Sequence, residues 1–153
     1  MKHLVVIAHD PSANTRAMVE AVMAGAGNDA VEQVQTRHQR PLQASAEDVL
    51  SAGAVIFGTT ENLGYMSGAL KDFFDRSFYD LLDKTDAMPY AMFIRAGQDG
   101  TGTRRAIESI CGGLNWKPVQ EPLICRGEWN DAFLEQCREL GMAMAAGLDA
   151  GIF

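Results

Sequence analysis

The sequence has only three cysteines, three histidines and no long apolar run, and each shortage removes a class of protein. Cys111, Cys125 and Cys137 are odd in number, far apart and without CxxC spacing. Neither a disulfide framework nor a zinc site is indicated, and a reducing cytoplasm is the expected home. His3, His9 and His38 likewise lack metal-ligand spacing, so no metal is expected. Near the N-terminus the short apolar run Leu4 to Ala8 meets His9 and Asp10 at once, with no small-residue cleavage pattern. No membrane contact or targeting leader is expected. Positive charge is short as well: 13 Lys and Arg against 20 Asp and Glu leave a net charge of −7, with no basic patch, so nucleic acid is not an expected partner. The chain contains no GxxxxGK[ST] motif. Its Gly97-Gln98-Asp99-Gly100-Thr101-Gly102 stretch is not a dinucleotide fingerprint, because Arg105 stands where the last glycine belongs. Ser67 is one residue out of register for a GxSxG nucleophile elbow and reads better as a helix N-cap.

What is present is core material. Over 153 residues, 47% hydrophobic content is enough for one sizeable core, and the length suits a single domain, residues 1–153. Disorder and fibrous structure are excluded. Apolar runs of strand length alternate with segments of helical period in five pairs, the pattern of parallel strands joined by right-handed helical crossovers. Strands are expected at His3 to Ala8, Val31 to Thr36, Ala54 to Gly58, Tyr90 to Arg95 and within Trp116 to Cys125. Helices are expected from near Asn14, after Ser45, after Ser67, from about Gly102 to Gly112, and from Asn130. The third is the clearest, with Leu70, Phe73, Phe74, Phe78, Leu81 and Leu82 on one face.

In an open parallel sheet, ligands bind outside the carboxyl ends of the strands where successive crossovers reverse direction. That singles out the loops His9 to Thr15, Thr59 to Met66 and Ala96 to Gly102. The first loop runs hydroxyl and amide side chains straight into a helix N-terminus, whose free N–H groups favour an anion. Ser12, Asn14 and Thr15 therefore either hold a phosphate or simply cap the helix. Glycines at Gly64, Gly97 and Gly100 either let backbone approach a planar ring or serve as ordinary turn residues.

The chain resembles the flavodoxin-like family and, within it, the small FMN-dependent NAD(P)H oxidoreductases, over nearly its whole length. Asp10-Pro11-Ser12-Ala13-Asn14-Thr15 resembles the family phosphate loop S/T-x-T-G-N-T, with Asp10 and Ala13 as departures. Gly58 through Arg76, containing Thr59-Thr60-Glu61-Asn62-Leu63-Gly64-Tyr65-Met66-Ser67-Gly68, resembles the flavin-ring loop and the helix after it, with Thr60 in place of the usual proline. Ala96-Gly97-Gln98-Asp99-Gly100 resembles the third flavin loop.

The resemblance implies a three-layer α/β/α sandwich around a five-stranded parallel sheet of order 2-1-3-4-5. It implies FMN held by Ser12, Ala13, Asn14 and Thr15 at the phosphate, and by Thr59, Thr60, Glu61, Asn62, Leu63, Gly64, Tyr65, Gly97, Gln98, Asp99 and Gly100 around the ring. NADH or NADPH is the implied co-substrate and a small molecule such as a quinone the acceptor. No side chain is assigned as acid or base. Leu63 and Tyr65 are placed to cover one ring face, and the third loop has no aromatic for the other, which leaves room for a nicotinamide or quinone. Asp10 beside a phosphate would cost binding unless its carboxylate points away or is protonated. The alternative within the same resemblance is a single-electron shuttle between protein partners, for which the acidic balance would help docking. A phosphoreceiver of the same topology fits poorly, because only Asp10, Thr59-Thr60 and Arg126 stand where an acidic pair, an aspartate and a lysine are needed. A homo-oligomer is compatible with the resemblance, with Tyr65, Met66 and Gly151-Ile152-Phe153 either at a contact or packed internally.

Overall fold

A computed structural model describes all 153 residues. In chain order the elements are β1 (Lys2–Ala8), α1 (Ala13–Ala26), β2 (Val34–Gln39), α2 (Ala46–Leu50), β3 (Ala54–Asn62), β4 (Tyr65–Met66), α3 (Gly68–Leu81), β5 (Pro89–Ala96), α4 (Thr101–Gly113), β6 (Lys117–Pro118), β7 (Leu123–Arg126) and α5 (Ala132–Asp149). The main sheet runs β2-β1-β3-β5, and the outer edge of β5 pairs with both β6 and β7. All these pairings are parallel; β4 alone is antiparallel, folded back on β3.

The expected topology is therefore present, with seven strands in place of five, because β4 is an added return strand and the last expected strand forms two pieces. The fifth expected strand is split, because β6 pairs with Pro89 and Tyr90 while β7 resumes opposite Phe93 to Ala96. Pro118 and Pro122 flank the break, and proline has no N–H for the ladder, so the chain leaves the edge between them. The second expected strand begins three residues later than its apolar pattern indicated, at Val34 opposite Lys2. A turn closed by Val31 N–H on the Asn28 carbonyl occupies the earlier stretch. An edge strand with mostly half-buried residues has little alternation to read, and its register is set by β1 instead.

Two apolar clusters cover the sheet's faces. Val5 and Ile7 of β1 join Val55 and Phe57 of β3 under α2, α3 and α4. Leu4, Val6 and Ala8 join Ala54 and Ile56 under α1 and α5. Strands buried on both sides explain the continuous apolar runs in the sequence. Phe57 centres the first cluster: its ring lies 5.0 Å from Phe74, 6.3 Å from Phe73 and 5.9 Å from Trp116, to which it is nearly parallel at 10°. The Trp116 indole N–H is satisfied by the Thr85 hydroxyl at 2.8 Å, so burying this ring leaves no polar atom unpaired. Trp116 is thus a packing anchor.

On the opposite face α1 and α5 approach through glycine. A Cβ on Gly25 would lie 1.9 Å from the Arg138 carbonyl oxygen, and one on Gly141 would lie 2.0 Å from that of Val22. Neither obstacle is a side chain that can turn aside. Gly141→Ala is therefore expected to push the two helices apart and lower stability by about 2 kcal/mol, read as a lower urea midpoint with an unchanged slope.

Candidate functional site

The first loop leaves β1 beside β3, held by His9 N–H on the Gly58 carbonyl at 2.9 Å. Ser12 caps α1: its hydroxyl accepts from Thr15 N–H at 3.1 Å, while the Thr15 hydroxyl accepts from Ser12 N–H at 2.9 Å. The capping reading of these two side chains is thus realised. The same geometry leaves Ala13 and Asn14 N–H without an intrahelical acceptor at the start of a 14-residue helix with no acid in its first turn. Asp10 points into an ion pair, with Arg40 donating Nε to Oδ1 at 2.9 Å and Nη2 to Oδ2 at 3.3 Å. Its charge is matched by a bidentate guanidinium from the end of β2. His9 is held below the ordinary imidazole range by partial burial, which outweighs the opposing charge of Asp10.

The second loop is a hairpin. β3 continues through Asn62, turns at Leu63-Gly64 and returns as β4, with Asn62 opposite Tyr65. Both turn residues have positive φ, 54° at Leu63 and 75° at Gly64. This is the two-residue turn that favours Asn-Gly, and Leu63 occupies it against its steric preference with its side chain wholly exposed. Thr59 is buried, and its hydroxyl accepts from Ser67 N–H at 3.0 Å and donates to the Thr60 carbonyl. Thr60 donates to the Asn62 side-chain oxygen at 2.9 Å. Ser67 caps α3 through Leu70 N–H, as expected. The return strand is braced from α4, where the Thr103 hydroxyl donates to the Tyr65 carbonyl at 2.9 Å.

Glu61 joins the second and third loops. Its carboxylate accepts from Gly100 N–H at 2.6 Å and Gln98 N–H at 3.2 Å, so one side chain gathers two backbone donors. Gly100 has a φ of 76°, and a Cβ there would meet Ile124 at 2.6 Å, so only glycine serves. Asp99 faces the other way. Its carboxyl lies below the ordinary range through the Thr101 hydroxyl first, with backbone N–H and the arginines 126 and 105 adding to the effect. Arg126 Nε also donates to the Asp99 carbonyl at 2.6 Å.

The structure thus brings Ser12 to Thr15, Thr59 to Tyr65 and Gly97 to Gly100 to the carboxyl ends of β1, β3 and β5. Within that group, the hydroxyls of Thr59 and Thr60 and the carboxyl of Asp99 serve the loops themselves. Arg40 and Thr103 brace the site without having been singled out, as does Arg126, which had been weighed only against a phosphoreceiver lysine. Nothing near them in sequence marks them, although Arg40 stands just beyond a strand that must end beside the first loop. No group of three or more His, Cys, Asp or Glu is placed to hold a metal ion, and no helix is long and apolar enough to cross a membrane. The cysteines are buried free thiols. At the chain end Phe153 packs on Gly147, while Ile152 is exposed.

A seven-stranded, mostly parallel sheet between two helical layers, with its loops meeting at the reversal between β1 and β3, defines a flavodoxin-like α/β protein. Comparison with solved structures agrees. A flavodoxin from the domain Archaea superposes with a TM-score of 0.79 at 21% identity, covering 97% of this chain and 99% of that one. A WrbA-like flavodoxin from Agrobacterium tumefaciens gives 0.71 at 20% identity, covering 95% and 96%. A curated relative from Aquifex aeolicus (strain VF5), a flavodoxin, is 33% identical over 110 residues, 72% of this chain. The matched stretch spans 58% of that relative's length. No family model matches the chain.

The strained hairpin turn yields a direct test. Leu63→Asn, which tolerates positive φ, is expected to stabilise the cofactor-free protein by about 1 kcal/mol, seen as a raised thermal midpoint. An unchanged or lowered midpoint would mean that Leu63 makes a stabilising contact there.

Proposed function

We propose that the chain binds FMN across these three loops and moves electrons from NADH or NADPH through it to a small acceptor such as a quinone. The observation that carries this reading is the meeting of two sets of backbone donors at one end of the sheet: Ala13 and Asn14 N–H at the start of α1, and Gln98 and Gly100 N–H around Glu61. The residues fit the cofactor at both ends. A phosphate meets a helix N-terminus with no acid in its first turn, and the neighbouring Asp10 is already matched by Arg40. At the ring end, the Glu61 oxygens stand in for acceptors of the kind a pyrimidine edge carries, so the carboxylate has to swing out as the ring enters.

FMN, once bound, supplies the hydride- and electron-accepting chemistry. The chain's own part is to hold and orient it. Leu63 and Tyr65 offer exposed apolar surface on the hairpin, and strain at Leu63 is retained where a ligand would use that side chain. Gly97, Gln98 and Asp99 are exposed and carry no aromatic ring, which keeps an approach open for a nicotinamide or quinone. No acid or base is required of a side chain for hydride delivery to the flavin.

A second reading, a single-electron carrier between protein partners, is favoured by the net charge of −7 and by the similarity to proteins named flavodoxin. Turnover separates the two. Oxidation of NADH or NADPH by the FMN-loaded protein with a quinone or dye supports the reductase. Absence of turnover, with chemically reduced protein still reducing a basic cytochrome, supports the carrier.

Binding itself is tested by titrating flavin-free protein with FMN, and with riboflavin as control, following quenching of flavin fluorescence. FMN is expected to bind well above riboflavin. Arg40→Ala, by releasing the charge of Asp10 beside the phosphate, is expected to weaken FMN roughly tenfold and to leave riboflavin unchanged. Equal binding of the two flavins, or none, overturns the proposal.

A further inference from the structure

Beside the first loop lies a cavity of about 430 Å³. It is walled by His9, Asp10 and Pro11, by Arg16 of α1, by residues 40–43 after β2, and by Ala69 of α3; no residue of Thr59 to Tyr65 or of the third loop lines it. It is therefore separate from the ring end of the proposed FMN site, and its volume falls in the range of small-molecule pockets.

The walls are fixed and their charges are unequal. Arg76, paired with Asp72 at 2.6 Å, donates to the carbonyls of Pro41 at 2.9 Å and Ala44 at 3.0 Å, which pins the 41–44 segment in place. Of the two arginines in the cavity, Arg40 is tied to Asp10, the sole acid in the wall. Arg16 has no carboxylate or other hydrogen-bond partner, even though Glu20 lies one turn further along α1. With His9 favoured in its neutral form, the cavity carries an excess positive charge on a chain whose net charge is −7. Pro11, Pro41 and the exposed Leu42 supply flat apolar surface next to that charge.

An unspent guanidinium, a second one within the same walls and a flat apolar lining fit the sugar phosphate of a nucleotide with its aromatic base beside it. We infer that this cavity receives the adenosine 2′-phosphate end of NADPH, with Arg16 as the principal phosphate contact and Leu42 against the base. The inference rests on the oxidoreductase reading above and makes the protein selective for NADPH over NADH.

The test is calorimetric titration of the protein, both FMN-saturated and flavin-free, with adenosine 2′,5′-bisphosphate and, separately, with adenosine 5′-monophosphate. The bisphosphate is expected to bind at least tenfold more tightly. Arg16→Ala and Leu42→Glu, both at exposed positions, should each weaken it at least fivefold, whereas in the flavin-free protein Ser12→Asp, which closes the phosphate loop to anions, should leave it unchanged. In turnover, Arg16→Ala should raise the KM for NADPH and leave that for NADH unaltered. Equal binding of the two nucleotides, or a bisphosphate affinity that responds to Ser12→Asp and not to Arg16→Ala, overturns the inference. FMN quenching and NADH oxidation are read independently, so loss of the cofactor or of all turnover counts against the oxidoreductase reading, and the nucleotide titration still judges the cavity.

Discussion

The pairing of β1 with β3 is the constraint on which the remaining structure depends. Leu4 to Ala8 align with Ala54 to Gly58 in parallel register, and these residues are buried on both faces of the sheet. The chain leaves this pair first toward β2 and then toward β5, so the loops at the carboxyl ends of β1 and β3 diverge over opposite helical layers. An opening at that end follows from the topology and needs no particular side chain. Side chains decide what the opening can hold.

Most of the charged side chains around the opening act on the backbone rather than project into solvent. Arg40 turns Asp10 aside, Arg76 holds the segment after β2, Glu61 collects the donors of the third loop, and Arg126 grips the carbonyl of Asp99. Arg95 is spent in the same way, on the carbonyls of Ala96, Cys125 and Gly127, with its guanidinium over Trp129 and Phe133. Several of these contacts are partly exposed and individually modest in energy. Their common effect is to keep loops of different crossovers in one arrangement, which is what a preorganised ligand site requires.

Not every group near the opening is engaged by the rest of the chain. The Arg16 side chain forms no ion pair, and Leu63 is held at positive φ with its side chain exposed.

The alternation of apolar runs with helical segments was enough to determine the parallel α/β class and the end of the sheet where ligands meet, because burial of β1, β3 and β5 on both faces leaves so strong a mark on composition; the strand order and the layers followed from the family resemblance. Helix starts at Ser45 and Ser67 were legible for a similar reason, since capping is decided within a few residues, and that of α1, expected near Asn14, falls two residues earlier on Ser12. The start of β2, the split of the last strand around Pro118 and Pro122, and the hairpin at Leu63-Gly64 depend on pairing partners distant in sequence. The engagement of Asp10 by Arg40 and of Gly100 by Glu61 is of the same kind: it joins residues 30 and 39 positions apart. Only the folded chain decided those contacts, because electrostatic and hydrogen-bond partners are chosen by proximity in space, for which no local pattern in the sequence codes.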